Sequence, residues 1–90
     1  MKKYSVVWHP DVEETLAKFV LEHWGTSQLA EITHASNQID KLLAERPLEV
    51  GSSSAANLRF LTVSPLTVLY AVFEADRMVI LLEYRLLLMN

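Results

Sequence analysis

No cysteine occurs anywhere in the 90 residues. That excludes the disulfide framework a secreted domain of this size usually carries, and it points to a reducing compartment. Glycine is nearly absent too, with two in the chain. The segment around Gly51 is therefore too glycine-poor to form a loop that cradles phosphates. Long apolar runs are missing. Met78 to Leu82 and Leu86 to Met89 fall far short of the roughly 20 residues a membrane helix needs. The basic opening Met1-Lys2-Lys3 is not followed by the apolar stretch of a secretory signal. Together these absences predict a cytoplasmic chain without a membrane. A surplus of cations is also lacking. Eleven acids stand against eight bases, and the net charge is −3. A pI near 5.5 gives a field that repels RNA or DNA, apart from any small local basic site.

What is present is apolar: 51% of the residues are hydrophobic. Residues 1–90 are read as one domain, since a second core needs more chain. A domain this small is marginal alone, so much of that apolar surface is expected to serve an interface. Tyr4 to Trp8 alternates, with Tyr4, Val6 and Trp8 on one face, and reads as a strand. Pro10 suits the first turn of a helix, and Asp11, Glu13 and Glu14 suit the positive end of its dipole. Val12, Leu16, Phe19, Val20 and His23 form its apolar stripe, and Gly25 ends it. Thr26 or Ser27 can cap a second helix, which Arg46-Pro47 stops. Leu29, Ile32, Ala35 or Ser36, Ile39, Leu42 and Leu43 mark its inner face. The short link makes the two helices an antiparallel hairpin. Gly51 to Ala56 reads as a flexible loop. Three strands follow, near Leu58 to Val63, Leu66 to Phe73 and Met78 to Leu86. The expected fold is α+β, β-α-α-β-β-β, an antiparallel sheet with a helical hairpin packed on one face.

The two turns suggest a register. If Val63 pairs with Leu66, Arg59 faces Tyr70. If Phe73 pairs with Met78, Tyr70 faces Leu81, Val68 faces Glu83 and Leu66 faces Arg85. Opposed residues share a face, so Arg59, Tyr70, Glu83 and Arg85 are expected together on one face. Phe60, Leu69, Ala71, Ile80 and Leu82 are then expected on the other, beneath the helices. A one-residue slip in either hairpin undoes this assignment.

The opening Tyr4-Ser5-Val6-Val7-Trp8-His9-Pro10 and the acid-rich helix after it resemble the start of the RelE/ParE superfamily of type II toxin–antitoxin toxins. Ile39-Asp40-Lys41-Leu42-Leu43 through Pro47-Leu48 is similar to the end of that family's second helix. Leu58-Arg59-Phe60-Leu61, Ser64-Pro65-Leu66-Thr67-Val68-Leu69-Tyr70 and Glu83-Tyr84-Arg85 resemble its arginine-led strand, its strand ending near Val-Leu-Tyr and its final strand. The resemblance spans nearly the whole chain, and its specificity lies in order and spacing. It implies the toxin component of a plasmid-stabilisation type of module, neutralised by a cognate antitoxin. Alternatives are a catalytically degenerate toxin-derived binding module, and a ribosome-dependent mRNA endonuclease with a sparse site. DNA gyrase is a further target the resemblance allows.

The departures bear on chemistry. Ribonucleolytic members carry several basic residues and a histidine or tyrosine near the C-terminus. Here Leu66-Thr67 opens a strand where many relatives place arginine, Ser54 is neutral, and Leu86-Leu87-Leu88-Met89-Asn90 holds no titratable side chain. A metal-free ribonuclease needs an acid/base pair and cationic stabilisation of the developing phosphorane charge. Arg59, Tyr70 and Arg85 are the candidate catalytic set. Against it stands a plainer reading: Arg85 paired with Glu83, Arg59 solvated, and Tyr70 packed with its hydroxyl at an edge. His9, His23 and His34 are too scattered for a zinc site, and neither metal nor organic cofactor is expected. No nucleophile elbow surrounds Ser52-Ser53-Ser54. Trp8 and Trp24 read as core or interface anchors. Leu86 and Leu88 are the candidate partner-binding residues, for an antitoxin segment or a second copy in a homodimer.

Overall fold

The computed structural model describes residues 3–87. Strand β1 (Ser5–Trp8) leads into helix α1 (Pro10–Glu22), then helix α2 (Ser27–Glu45). Four strands follow: β2 (Ser52–Ala55), β3 (Leu58–Val63), β4 (Leu66–Phe73) and β5 (Met78–Leu86). They form one sheet in the order β1-β5-β4-β3-β2. The α+β fold and the helical hairpin on one face are as the sequence predicts. Two features differ. The Gly/Ser segment contains a strand, β2, and β1 runs parallel to β5 in an otherwise antiparallel sheet. β2 carries Ser-Ser-Ser-Ala with every side chain exposed, so no apolar alternation announces it. Its pairing is a backbone matter, decided by the neighbouring β3.

Local signals explain the helices. Pro10 occupies the first turn of α1, and His9 caps it: the Asp11 N–H donates to His9 Nδ1 at 3.1 Å. α1 ends at Glu22, and Gly25, at φ +80°, makes the turn beyond it. Thr26 holds the N-cap position of α2, but its hydroxyl donates back to His23 O at 2.7 Å instead of capping. Ile32, Ala35, Ser36, Ile39 and Leu43 recur at helical spacing and are all buried. They pack with Val12 on Leu61, Leu66, Val68, Tyr70, Val72, Val79, Leu81 and Tyr84 of the sheet. Trp8 joins this core and Trp24 does not. Trp24 is 71% exposed beside the hairpin turn, where neither layer reaches it.

The buried face is therefore the opposite of the one expected. It holds Leu61, Val68 and Tyr70, while Phe60 lies exposed on the other side. The first hairpin has the expected register, with Val63 on Leu66 and Arg59 on Tyr70. The second agrees from Phe73–Met78 to Tyr70–Leu81 and then shifts, so that Leu69 faces Glu83 and Thr67 faces Arg85. Leu82 is the extra residue of a β-bulge. It moves Glu83 and Arg85 to the face opposite Tyr70 and delivers Tyr84 to the core, at 2% exposure.

A small polar network crosses the layers. Trp8 Nε1 donates to Asp40 Oδ1 at 3.0 Å, and the Trp8 ring meets Tyr84 edge to face at 5.5 Å between centroids. Burial pushes the Tyr84 hydroxyl up to about 12, opposed in part by the Ser36 hydroxyl 3.5 Å away. Burial also raises the Asp40 carboxyl above its ordinary 3.8, opposed by the Trp8 bond. A folded value above the unfolded one contributes stability that is complete below about 3.8 and is lost as pH rises through the folded value. Asp40→Asn keeps an acceptor for Trp8 without the charge. Its melting temperature should gain on the parent's as pH rises from 3 towards 7, then run parallel. A constant offset across that range would remove Asp40 as the cause.

Candidate functional site

The face left uncovered by the helices is built from alternate residues of every strand. Thr62 and Thr67 face each other on it with hydroxyls 2.9 Å apart. Their strands also bring Phe60, 43% exposed, and Leu69 to the same side. The bulge in β5 adds Glu83 and Arg85. Phe60, Thr67, Leu69, Glu83 and Arg85, with Ser54 of β2, line a depression of about 360 Å³. Its floor is apolar, and its rim carries one ion pair and hydroxyls, the general make-up of a binding site. Arg85 Nε donates to Glu83 Oε2 at 2.8 Å, and the arginine side chain is 75% exposed. That bond favours the guanidinium and holds Arg85 yet more firmly protonated. The pair leaves the face without a surplus of cations. No histidine or tyrosine stands on this face among the described residues, since Tyr70 and Tyr84 are buried beneath the helices.

The structure does not bring Arg59, Tyr70 and Arg85 together. Arg59 and Tyr70 lie on the helix side of the sheet and Arg85 on the open side, because the bulge at Leu82 reverses the parity of β5. Tyr70 has no exposed surface. Its hydroxyl lies 3.0 Å from Pro47 O and 3.1 Å from Val50 O, one proton shared between two carbonyls. Burial raises its pKa, and the neighbouring Arg59 opposes the rise. Arg59 Nη2 donates to Val50 O at 3.1 Å and Gly51 O at 3.4 Å. Its Nε is buried with no partner among the described residues. Leu86 pairs with Leu66 and packs, half-buried, against the core. Leu88 lies outside the described residues. Among the described residues no cluster of histidines and carboxylates could hold a metal ion, and no helix is long and apolar enough to cross a membrane.

Phe60, Leu69 and Thr67 are the site residues that sequence reasoning missed. A signal for them existed. The register that pairs Val63 with Leu66 also pairs Thr62 with Thr67. Two opposed threonines mark a solvent face, and alternation then puts Phe60 and Leu69 on it.

No protein-family model and no curated protein matches the sequence. Solved structures do match the fold. A chain of the toxin–antitoxin complex RelBE2 from Mycobacterium tuberculosis superposes with a TM-score of 0.75 at 17% identity, over 96% of this chain and 93% of that one. A chain of the chromosomal ParDE toxin–antitoxin system from P. aeruginosa gives a TM-score of 0.74 at 15% identity, over 96% and 98%. The TM-scores and near-complete coverage show that this chain has the RelE/ParE-like fold.

Proposed function

We propose that the chain is the toxin component of a type II toxin–antitoxin module, and that its open sheet face is the surface on which it meets an antitoxin segment or its target. The observation that carries this reading is the uncovered face itself. A two-layer domain normally leaves its outer face polar. This one exposes Phe60, Val7 and Phe73, and Phe60 lines a depression together with Arg85 and Glu83. The likeness to chains of two toxin–antitoxin systems supports the assignment of the partner class.

Within that reading, protein recognition is favoured over RNA cleavage. Arg85 is already paired with Glu83, and no histidine or tyrosine accompanies it on the open face among the described residues. Cleavage without a metal needs a proton donor and acceptor and a positive charge free to meet the phosphate. The net charge of −3 points the same way. A toxin acting on a protein such as gyrase, or a toxin-derived module that keeps only its protein interface, fits this surface better than an mRNA endonuclease.

Induced expression in a bacterial host is expected to arrest growth. Co-expression of the product of a short adjacent reading frame is expected to relieve it and to yield a stable complex. Arg85→Ala should weaken toxicity or complex formation about ten- to a hundred-fold, since losing a charge-assisted contact costs about 1.5–3 kcal/mol. The exposed position of Arg85 leaves folding intact. Absence of both arrest and a complex with that product would remove the reading. Site-specific cleavage of mRNA by the purified chain with ribosomes would restore the endonuclease.

A further inference from the structure

We propose that Tyr70 and Arg59 are positioning residues of the open-face depression: from the helix side of the sheet they clamp the segment between α2 and β2, and so fix where Ser54 stands on the other side. Of the residues lining the depression, Ser54 alone comes from outside β3, β4 and β5. Its position follows that of β2, a four-residue edge strand with all its side chains in solvent. β2 has one neighbour, β3, and its ladder is irregular between Ser53 and Ala55, at Ser54 itself. Such a strand is weakly held by pairing alone. The clamp lies immediately before it. The Tyr70 hydroxyl reaches Pro47 O and Val50 O, and Arg59 reaches Val50 O and Gly51 O. Val50 O thus receives both donors. Gly51 closes the arrangement, because a Cβ there would lie 3.1 Å from the Tyr70 hydroxyl.

The chemistry of the residues supports the role. The single proton of a tyrosine hydroxyl can be shared between two carbonyls, and a guanidinium nitrogen carries two N–H donors in a fixed plane, so both residues constrain the carbonyls they meet. These donors come from β3 and β4 in the body of the sheet, so the clamp ties the segment before the edge strand to the strands inside the sheet. The proposal rests on the reading of the open face as the working surface, but its test needs no partner.

The absence of native cysteine makes the test direct. Spin labels on Ser54→Cys and Glu31→Cys report the distance from β2 to α2 by double electron–electron resonance. A second pair, Asp76→Cys and Glu31→Cys, reports the β4–β5 turn. In the parent both pairs should give one narrow distance. In Tyr70→Phe combined with Arg59→Met, the Ser54 pair should broaden or split while the Asp76 pair stays narrow. Arg59→Lys, which keeps a donor, should recover part of the narrowness. A general loosening of the domain would broaden both pairs. That result, or an unchanged Ser54 distance, would overturn the clamp. Should the combined variant fail to fold, Tyr70→Phe alone keeps the buried ring and is judged by the same two distances. Failure of antitoxin binding in the parent would instead count against the proposed function and leave these distances untouched.

Discussion

Gly51→Ala is expected to destabilise the domain by about 3 kcal/mol, a large share of the stability of a chain this small. Two effects add. Gly51 sits at φ +70°, a left-handed conformation that costs a side-chain-bearing residue of order 1 kcal/mol. A Cβ at this position would also lie 2.3 Å from the backbone oxygen of Phe60, closer than any real contact. Phe60 is in mid-strand and cannot yield alone, so the segment before β2 has to lift. Lifting it stretches the bonds from Tyr70 and Arg59. For a domain of this length the loss corresponds to a fall in melting temperature of roughly 12–24 °C. Gly25→Ala is the matching control. It shares a positive φ, +80°, but nothing lies within 4 Å of its added methyl, and it should cost only about 1 kcal/mol. Equal losses at the two glycines would mean that the close approach to β3 contributes nothing.

Phe60→Asp should have the largest effect on binding. Phe60 is the aromatic residue on the floor of the open-face depression and is 43% exposed. Central aromatic anchors dominate interface energetics, and their loss costs about 2–4 kcal/mol, or roughly 30- to 1,000-fold in affinity. A carboxylate in its place would also lie near Glu83 and put a second negative charge on this surface. Because the side chain lies on the uncovered face, thermal stability should change by only a few degrees. Calorimetric titration with the antitoxin partner would measure the loss. A folded Phe60→Asp chain that keeps its full affinity would place the partner elsewhere, for example on the exposed Leu21 and Trp24 at the helical hairpin.

Arg59 and Tyr70 show how far a sequence can be read. Their cross-strand pairing was legible, because a hairpin as short as Ser64-Pro65 allows few registers. Their role was not. An arginine on a strand carries the same letter whether it meets a phosphate or the carbonyls of Val50 and Gly51. The loop that supplies those carbonyls is distant in spacing and has no pattern of its own.

Composition and local pattern by themselves determined the element types, both helices, the helical hairpin and the α+β class. Those depend on capping, on proline and on apolar spacing within a few residues of one another. The tertiary structure alone decided which face of the sheet is buried, that Ser52–Ala55 is a strand, and where Arg85 points. β4 reads Leu-Thr-Val-Leu-Tyr-Ala-Val-Phe, apolar on both faces, so alternation cannot choose the side the helices cover. Strand pairing gives β2 its conformation through backbone bonds that side chains do not encode. The bulge at Leu82 is the decisive case. With period-two alternation a single unpaired residue reverses every side chain beyond it. Packing Tyr84 beside Trp8 and Ser36 in the core sends Glu83 and Arg85 to the open face.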